Sequence, residues 1–137
     1  PNGIQISPDG RYVYLNIYIR GELWKIERSS GRRVGMINIP GPDNSQWAAD
    51  GRLLVASHTG LASYDVNRCT SLKRGFCPLA FQVVAVDPDT LETEVIYDHD
   101  GSAPMGAGTV AQQVGTQLYI GTFAGDRLNR VQFKKVE

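Results

Sequence analysis

Cysteine, histidine, long apolar runs and an excess of either charge are what this 137-residue chain lacks. Fourteen Lys and Arg offset fourteen Asp and Glu, for a formal net charge of zero. That balance argues against nucleic acid or an anionic membrane as partner, since both call for a basic face. No apolar run approaches the roughly 18 residues of a membrane-spanning helix. The two cysteines have no neighbouring Cys or His and make only half a zinc site, and no Cys or His lies near Asn2 or Asp43 in sequence, which disfavours zinc or copper there. Gly-x-Ser-x-Gly is absent, which leaves a serine hydrolase without its nucleophile elbow. Disorder is disfavoured by a composition that is 42% hydrophobic and only 20% charged.

What is present is punctuation. Fifteen glycines and seven prolines divide the chain into short apolar segments, which suits strands and turns better than long helices. The segments repeat. Ser7-Pro8-Asp9-Gly10-Arg11 leads into Tyr12-Val13-Tyr14-Leu15, and Ala48-Ala49-Asp50-Gly51-Arg52 leads into Leu53-Leu54-Val55-Ala56. The two Asp-Gly pairs stand 41 residues apart, and so do Asn2 and Asp43 ahead of them. A looser copy, Val114-Gly115-Thr116-Gln117 before Leu118-Tyr119-Ile120-Gly121, follows 64 residues after the second.

Each unit reads as strand, tight turn, strand, with Asp-Gly at the turn. In the first, Ile4 and Ile6 alternate around Gln5, and strands follow at Tyr12–Ile19, Leu23–Ile26 and Val34–Ile39. The second predicts Asn44–Ala49, Leu53–Ser57, Gln82–Asp87 and Glu94–Tyr97; the third predicts Thr109–Val114, Leu118–Thr122 and Leu128–Phe133. Four short strands in about 40 residues make one blade of a β-propeller. The expected architecture is all-β: blade 1–41, blade 42–104 with an insertion at 60–80, and an incomplete blade 105–137. Three blades do not close a ring, so the chain is expected to be the C-terminal half of a six-bladed propeller whose N-terminal blades are its missing partner. The start at Pro1, with neither an initiator Met nor a leader, agrees with a processed chain or a piece of a longer one.

The insertion carries Cys69 and Cys77. A disulfide there would staple a small loop and imply periplasm or exterior; free thiols would agree with a cytoplasmic protein. The loops entering the first strand of each unit carry the chemistry. Pro1-Asn2-Gly3 and Gly41-Pro42-Asp43-Asn44 occupy matching positions, and innermost strands line a propeller's central channel. Asn2, Asp43 and Asn44 therefore present converging oxygens, which suit a hard cation such as Ca²⁺. The same sequences also make ordinary turns.

Pro1-Asn2-Gly3-Ile4 followed by Ser7-Pro8-Asp9-Gly10-Arg11 resembles the gluconolactonase/regucalcin (senescence marker protein) superfamily. The later order is similar to the C-terminal third of the paraoxonase/arylesterases. It runs through Asp43-Asn44, then Leu54-Val55-Ala56-Ser57-His58, then Gly108-Thr109-Val110-Ala111, then Leu118-Tyr119-Ile120-Gly121-Thr122. The resemblance runs from Pro1 to about Phe133, with the cysteine-bearing insertion as its main departure. It implies a six-bladed propeller holding Ca²⁺ and hydrolysing small lactones or esters. It implies Asn2, Asp43 and Asn44 as metal ligands, and His58 beside Asp43 as a catalytic candidate at the pocket wall. The remaining ligands, a Glu and an Asn, would lie upstream, so these 137 residues alone are expected to bind calcium poorly and to be inactive. A non-catalytic binding propeller with structural calcium, or a strictosidine-synthase-like enzyme, remains the alternative.

Other residues carry less. His99 in Tyr97-Asp98-His99-Asp100-Gly101 is expected to be solvated in a polar turn, and Thr109 to face the channel. Trp24 and Trp47 are expected to pack between blades. Gly106-Ala107-Gly108 lacks the lysine and helix of a phosphate loop.

Overall fold

The computed structural model describes residues 1–60 and 66–132. Among these residues eleven strands form three antiparallel sheets in chain order. The first holds β1 (Ile4–Ile6), β2 (Tyr12–Ile17), β3 (Glu22–Glu27) and β4 (Arg33–Asn38). The second holds β5 (Pro42–Trp47), β6 (Leu53–His58), β7 (Phe81–Val86) and β8 (Thr93–His99). The third holds β9 (Gly108–Val114), β10 (Gln117–Thr122) and β11 (Asn129–Gln132). This is the partial propeller that the repeat predicts: each sheet is an up-and-down blade, and the first strands β1, β5 and β9 neighbour one another on the inner side.

The turns follow their residues. Gly10 and Gly51 adopt positive φ of 73° and 88°, as Asp-Gly hairpins need. Asp9 Oδ1 accepts from the Ser7 hydroxyl at 2.6 Å and from the Arg11 amide at 3.0 Å, which holds its carboxyl below the ordinary range.

Two apolar layers separate the blades. Tyr14, Leu23, Ile39, Leu53, Val55 and Val86 fill the space between the first and second sheets. Leu54, Phe81, Val83, Ala111, Leu118 and Ile120 fill the next. All six residues of β6 are buried, because the middle blade is covered on both faces. A polar lock crosses the first layer: Lys25 Nζ and the Tyr14 hydroxyl both donate to the Pro88 carbonyl, at 2.6 and 2.8 Å. Lys25 also sits 4.3 Å from the Tyr12 ring centre, and burial pushes the Tyr14 phenol up to about 12.

Several local expectations change. The strand from Tyr12 stops at Ile17 and passes into a 3-10 turn, Tyr18–Arg20, which Gly21 terminates at φ 64°. The apolar run Tyr18-Ile19 hides that break, and Ile19 ends up 92% exposed. His99 is not a solvated turn residue. It closes β8, stacks on Phe81 at 5.3 Å between ring centres, and accepts the Gly101 amide on Nδ1. Trp47 packs between blades, edge-on to Tyr14 at 5.5 Å with its indole N–H on the Ile6 carbonyl. Trp24 lies on the opposite face of the first sheet from Tyr14, between the guanidinium groups of Arg20 and Arg33, where no other described blade meets it. Ile4, Ile6 and Met36 share that face and are 60%, 51% and 43% exposed. The Leu128–Phe133 strand is seen as Asn129–Gln132, and Phe133 lies outside the described residues.

Between β6 and β7 the chain makes a 3-10 turn, Val66–Cys69, and Cys69 is disulfide-bonded to Cys77. Cys69, Cys77, Leu79, Ala107 and Ala124 form a small apolar cluster of their own. Gly106 packs its α-carbon against the Cys77 carbonyl, where a Cβ would collide; the Gly106–Gly108 stretch serves this contact. Residues 61–65 of the predicted insertion lie outside the described residues. Among those described, no helix is long and apolar enough to cross a membrane.

Candidate functional site

Successive residues of a regular strand point to opposite faces, which would separate Asp43 from Asn44. A bulge removes that obstacle. On β5 the register steps from Pro42 opposite Ser57 to Ser45 opposite Val55, so the inner strand carries one extra residue at Asp43-Asn44. The Asn44 side-chain amide then donates to Asp43 Oδ1 at 2.8 Å and to the Thr109 carbonyl at 3.0 Å. Thr109 occupies a matching irregularity on β9, where Gly108 and Val110 pair with Thr122 and Gly121. Its main chain meets Asn44, while its hydroxyl turns to the Gly121 carbonyl at 3.4 Å.

The first blade is fastened to the same point. The Gly3 amide donates to the Asp43 carbonyl at 2.8 Å, and the Asn2 amide donates to the Asn16 carbonyl at 2.7 Å. The Asn2 side chain stands close enough to the Asp43 carboxylate to oppose the rise in its pKa. Gly3 is required here by close approach: a Cβ would stand 2.5 Å from the Asp43 carbonyl oxygen and 2.7 Å from Asn44 Cα. Asn2, Asp43 and Asn44, 41 residues apart in sequence, thus meet around one carboxylate.

That carboxylate is 8% exposed. Burial pushes its pKa up to about 6, opposed by the Asn2 side chain. No salt bridge to it is found among the described residues. As a metal site the donors fit a hard cation in kind, one carboxylate and two amides, but three is short of the 6–8 oxygens that Ca²⁺ takes. No group of three His, Cys, Asp or Glu side chains stands together among the described residues.

Asp43 and His58 line one pocket of about 200 Å³ with Tyr18, Thr70 and Phe123. His58 ends β6 and is 2% exposed. Its Nδ1 lies 2.7 Å from the Tyr18 hydroxyl, and the Phe123 ring stands edge-on to it at 6.1 Å. Burial lowers the pKa of His58, so the ring is neutral; the Ala107 and Gly108 backbone opposes this shift, yet Nε2 makes no hydrogen bond of normal geometry. Burial and the Asp43 charge push the Tyr18 phenol up to about 12. Tyr18, Thr70 and Phe123 are site residues that sequence reading missed. Thr70 lies in the insertion, but Tyr18 and Phe123 share one repeat position with Thr59, set by the same spacings as the turn glycines Gly10, Gly51 and Gly115, and that register is the signal that could have found them.

No protein-family model and no curated protein matches this sequence. Solved structures do. Hydrazine synthase of Kuenenia stuttgartiensis aligns over 95% of this chain and 33% of its own, with a TM-score of 0.61 and 14% identity. A candidate 6-phosphogluconolactonase of Bacteroides uniformis aligns over 88% of this chain and 47% of its own, at TM-score 0.39 and 10% identity. A calcium-binding protein, regucalcin, of Agrobacterium tumefaciens aligns over 97% of this chain and 54% of its own, at TM-score 0.37 and 15% identity. The chain spans between a third and about half of the structures it is similar to. What the first of these likenesses establishes is the propeller-like all-β fold of the chain.

Proposed function

We propose that this chain forms one wall of a calcium-dependent hydrolase site for small lactones or esters. One observation carries the reading: Asn2 and Asn44 meet the buried Asp43 carboxylate, which has no salt-bridge partner among the described residues, beside a pocket that His58 also lines. The sequence resemblance to the gluconolactonase and paraoxonase families adds the substrate class. Bound Ca²⁺ supplies polarisation of the substrate carbonyl and of the charge that develops on it.

The residues of this chain do the rest. Asp43 contributes the formal charge of the ligand set, and the amide oxygens of Asn2 and Asn44 complete this chain's share. The Gly3 contact and the β5 bulge fix the backbone that carries these side chains, and the Asn44 amide, which now turns its NH2 to Asp43 Oδ1, would turn its oxygen to an ion. Tyr18, His58 and Phe123 wall the pocket beside Asp43 and give it an aromatic side against which a substrate would rest. Further blades of the same protein, covering the Ile4, Ile6 and Met36 face, would bring the other ligands. The Cys69–Cys77 disulfide supports an oxidising compartment, periplasmic or extracellular.

A second reading, binding without turnover, is favoured by the burial of His58 and the pairing of its Nδ1 with the Tyr18 hydroxyl, which keep that nitrogen from meeting water directly. The two are separated in the full protein that carries this chain. δ-Valerolactone and phenyl acetate should be hydrolysed, chelator should abolish turnover, and Asp43→Asn should lower kcat/KM at least about 100-fold together with calorimetric Ca²⁺ affinity. Turnover indifferent to both chelator and the substitution overturns the hydrolase reading. Calcium binding without hydrolysis of either probe leaves the binding propeller.

A further inference from the structure

His58 and Tyr18 are joined by a hydrogen bond that the roles given so far leave unused. Its direction goes with the imidazole tautomer. With Nδ1 protonated, Nε2 would be a buried acceptor without a partner among the described residues. With Nε2 protonated, the Tyr18 hydroxyl donates to Nδ1, and the remaining lone pair of the phenol oxygen is available to the pocket that Tyr18 lines. The pair therefore offers the pocket an acceptor backed by a neutral base.

We propose that Tyr18 is a further catalytic residue, taking a proton from the attacking water while its own proton passes to His58 Nδ1. The proposal rests on the hydrolase reading. As the water oxygen bonds to the substrate carbonyl carbon, one water O–H bond breaks and a new Tyr18 O–H bond forms. The old Tyr18 O–H bond breaks as Nδ1–H forms, and the carbonyl π pair moves to its oxygen. His58 becomes an imidazolium, whose charge the Ala107 and Gly108 backbone favours. Collapse of the intermediate returns the proton through Tyr18 to the leaving alkoxide, so neither side chain is changed overall. Such a chain also explains the occupied Nδ1: the base works through the phenol instead of meeting water itself.

The test uses the full protein carrying this chain, loaded with Ca²⁺, with δ-valerolactone and phenyl acetate as probes. Tyr18→Phe should lower kcat about 100-fold with KM within about twofold, because the ring stays and only the relay is lost. His58→Gln should cost a similar factor, and the double variant should lose no more than either alone. Long-range ¹H–¹⁵N spectra of labelled histidine should show the Nε2–H tautomer in the wild type and a mixed population in Tyr18→Phe. An Nδ1–H tautomer in the wild type, full turnover by Tyr18→Phe, or losses that multiply in the double variant overturn the relay alone. Absence of hydrolysis by the wild type overturns the hydrolase reading and the relay with it.

Discussion

The side-chain amide of Asn16, on the second strand of the first blade, donates to the main-chain oxygen of Asp43 at 2.7 Å while fully buried. The same nitrogen reaches the Ser45 hydroxyl at 2.8 Å. Blade one thus grips β5 on both sides of the bulge that presents Asp43 and Asn44. The geometry of the carboxylate is set by its neighbours' backbone and amides, and the predictions below follow from that.

Gly3→Ala should destabilise the chain by about 1–3 kcal/mol, since its Cβ would press on backbone atoms of Asp43 and Asn44 that have no rotamer to yield. Urea unfolding of the variant against wild type measures this. A midpoint shift near zero would show that β1 moves freely relative to β5.

Asp43 gives a pH dependence of unusual sign. Burial raises its carboxyl from 3.8 to about 6, so between those values the folded chain holds a proton that the unfolded chain has released. Its stabilising contribution is present below 3.8 and is lost as pH rises through 6. In chelated buffer the wild type should therefore lose about 2 kcal/mol relative to Asp43→Asn between about pH 3.5 and 7, allowing for partial solvent screening. Denaturant curves at the two pH values check the difference. A constant offset would place the carboxylate in water.

Replacing Cys69 and Cys77 together by alanine should cost about 2.5 kcal/mol in the chain-entropy description of a loop with sequence separation 8. Thr70 follows Cys69 directly and lines the pocket, so hydrogen exchange should also rise around residues 66–79. Equal exchange in oxidised and reduced protein would contradict this.

Lys25→Met keeps the apolar stem but removes the bond to the Pro88 carbonyl and the cation over Tyr12. A loss of about 1–2 kcal/mol in thermal unfolding is expected. Tyr14→Phe, which deletes the other donor to the same oxygen, should cost less alone than after Lys25→Met, because either donor by itself still satisfies Pro88.

Strand identity and blade order were legible in the residues because both are local. Alternation at Ile4 and Ile6, the Asp-Gly turns and the 41-residue spacing each act within a few residues or repeat at fixed period. The pairing of Asn2 with Asp43 was legible for the same reason, since equal positions in successive modules face a common axis. His99 was misjudged because its polar neighbours describe the turn and not the Phe81 ring that arrives from the adjacent strand. Which face of the first sheet Trp24 takes was not legible, because a side chain's sheet face depends on register, which composition does not state.

By itself, then, the sequence determined the modules, their turns and the oxygen-bearing side chains at their inner edges. Tertiary structure alone decided that Asp43 and Asn44 turn the same way, that Gly3 touches Asp43, and that Tyr18 meets His58 forty residues away. The physical reason is range. Turn and strand preferences are energies of neighbouring residues, whereas a bulge, a close backbone approach and a buried hydrogen bond exist only once separate sheets have packed.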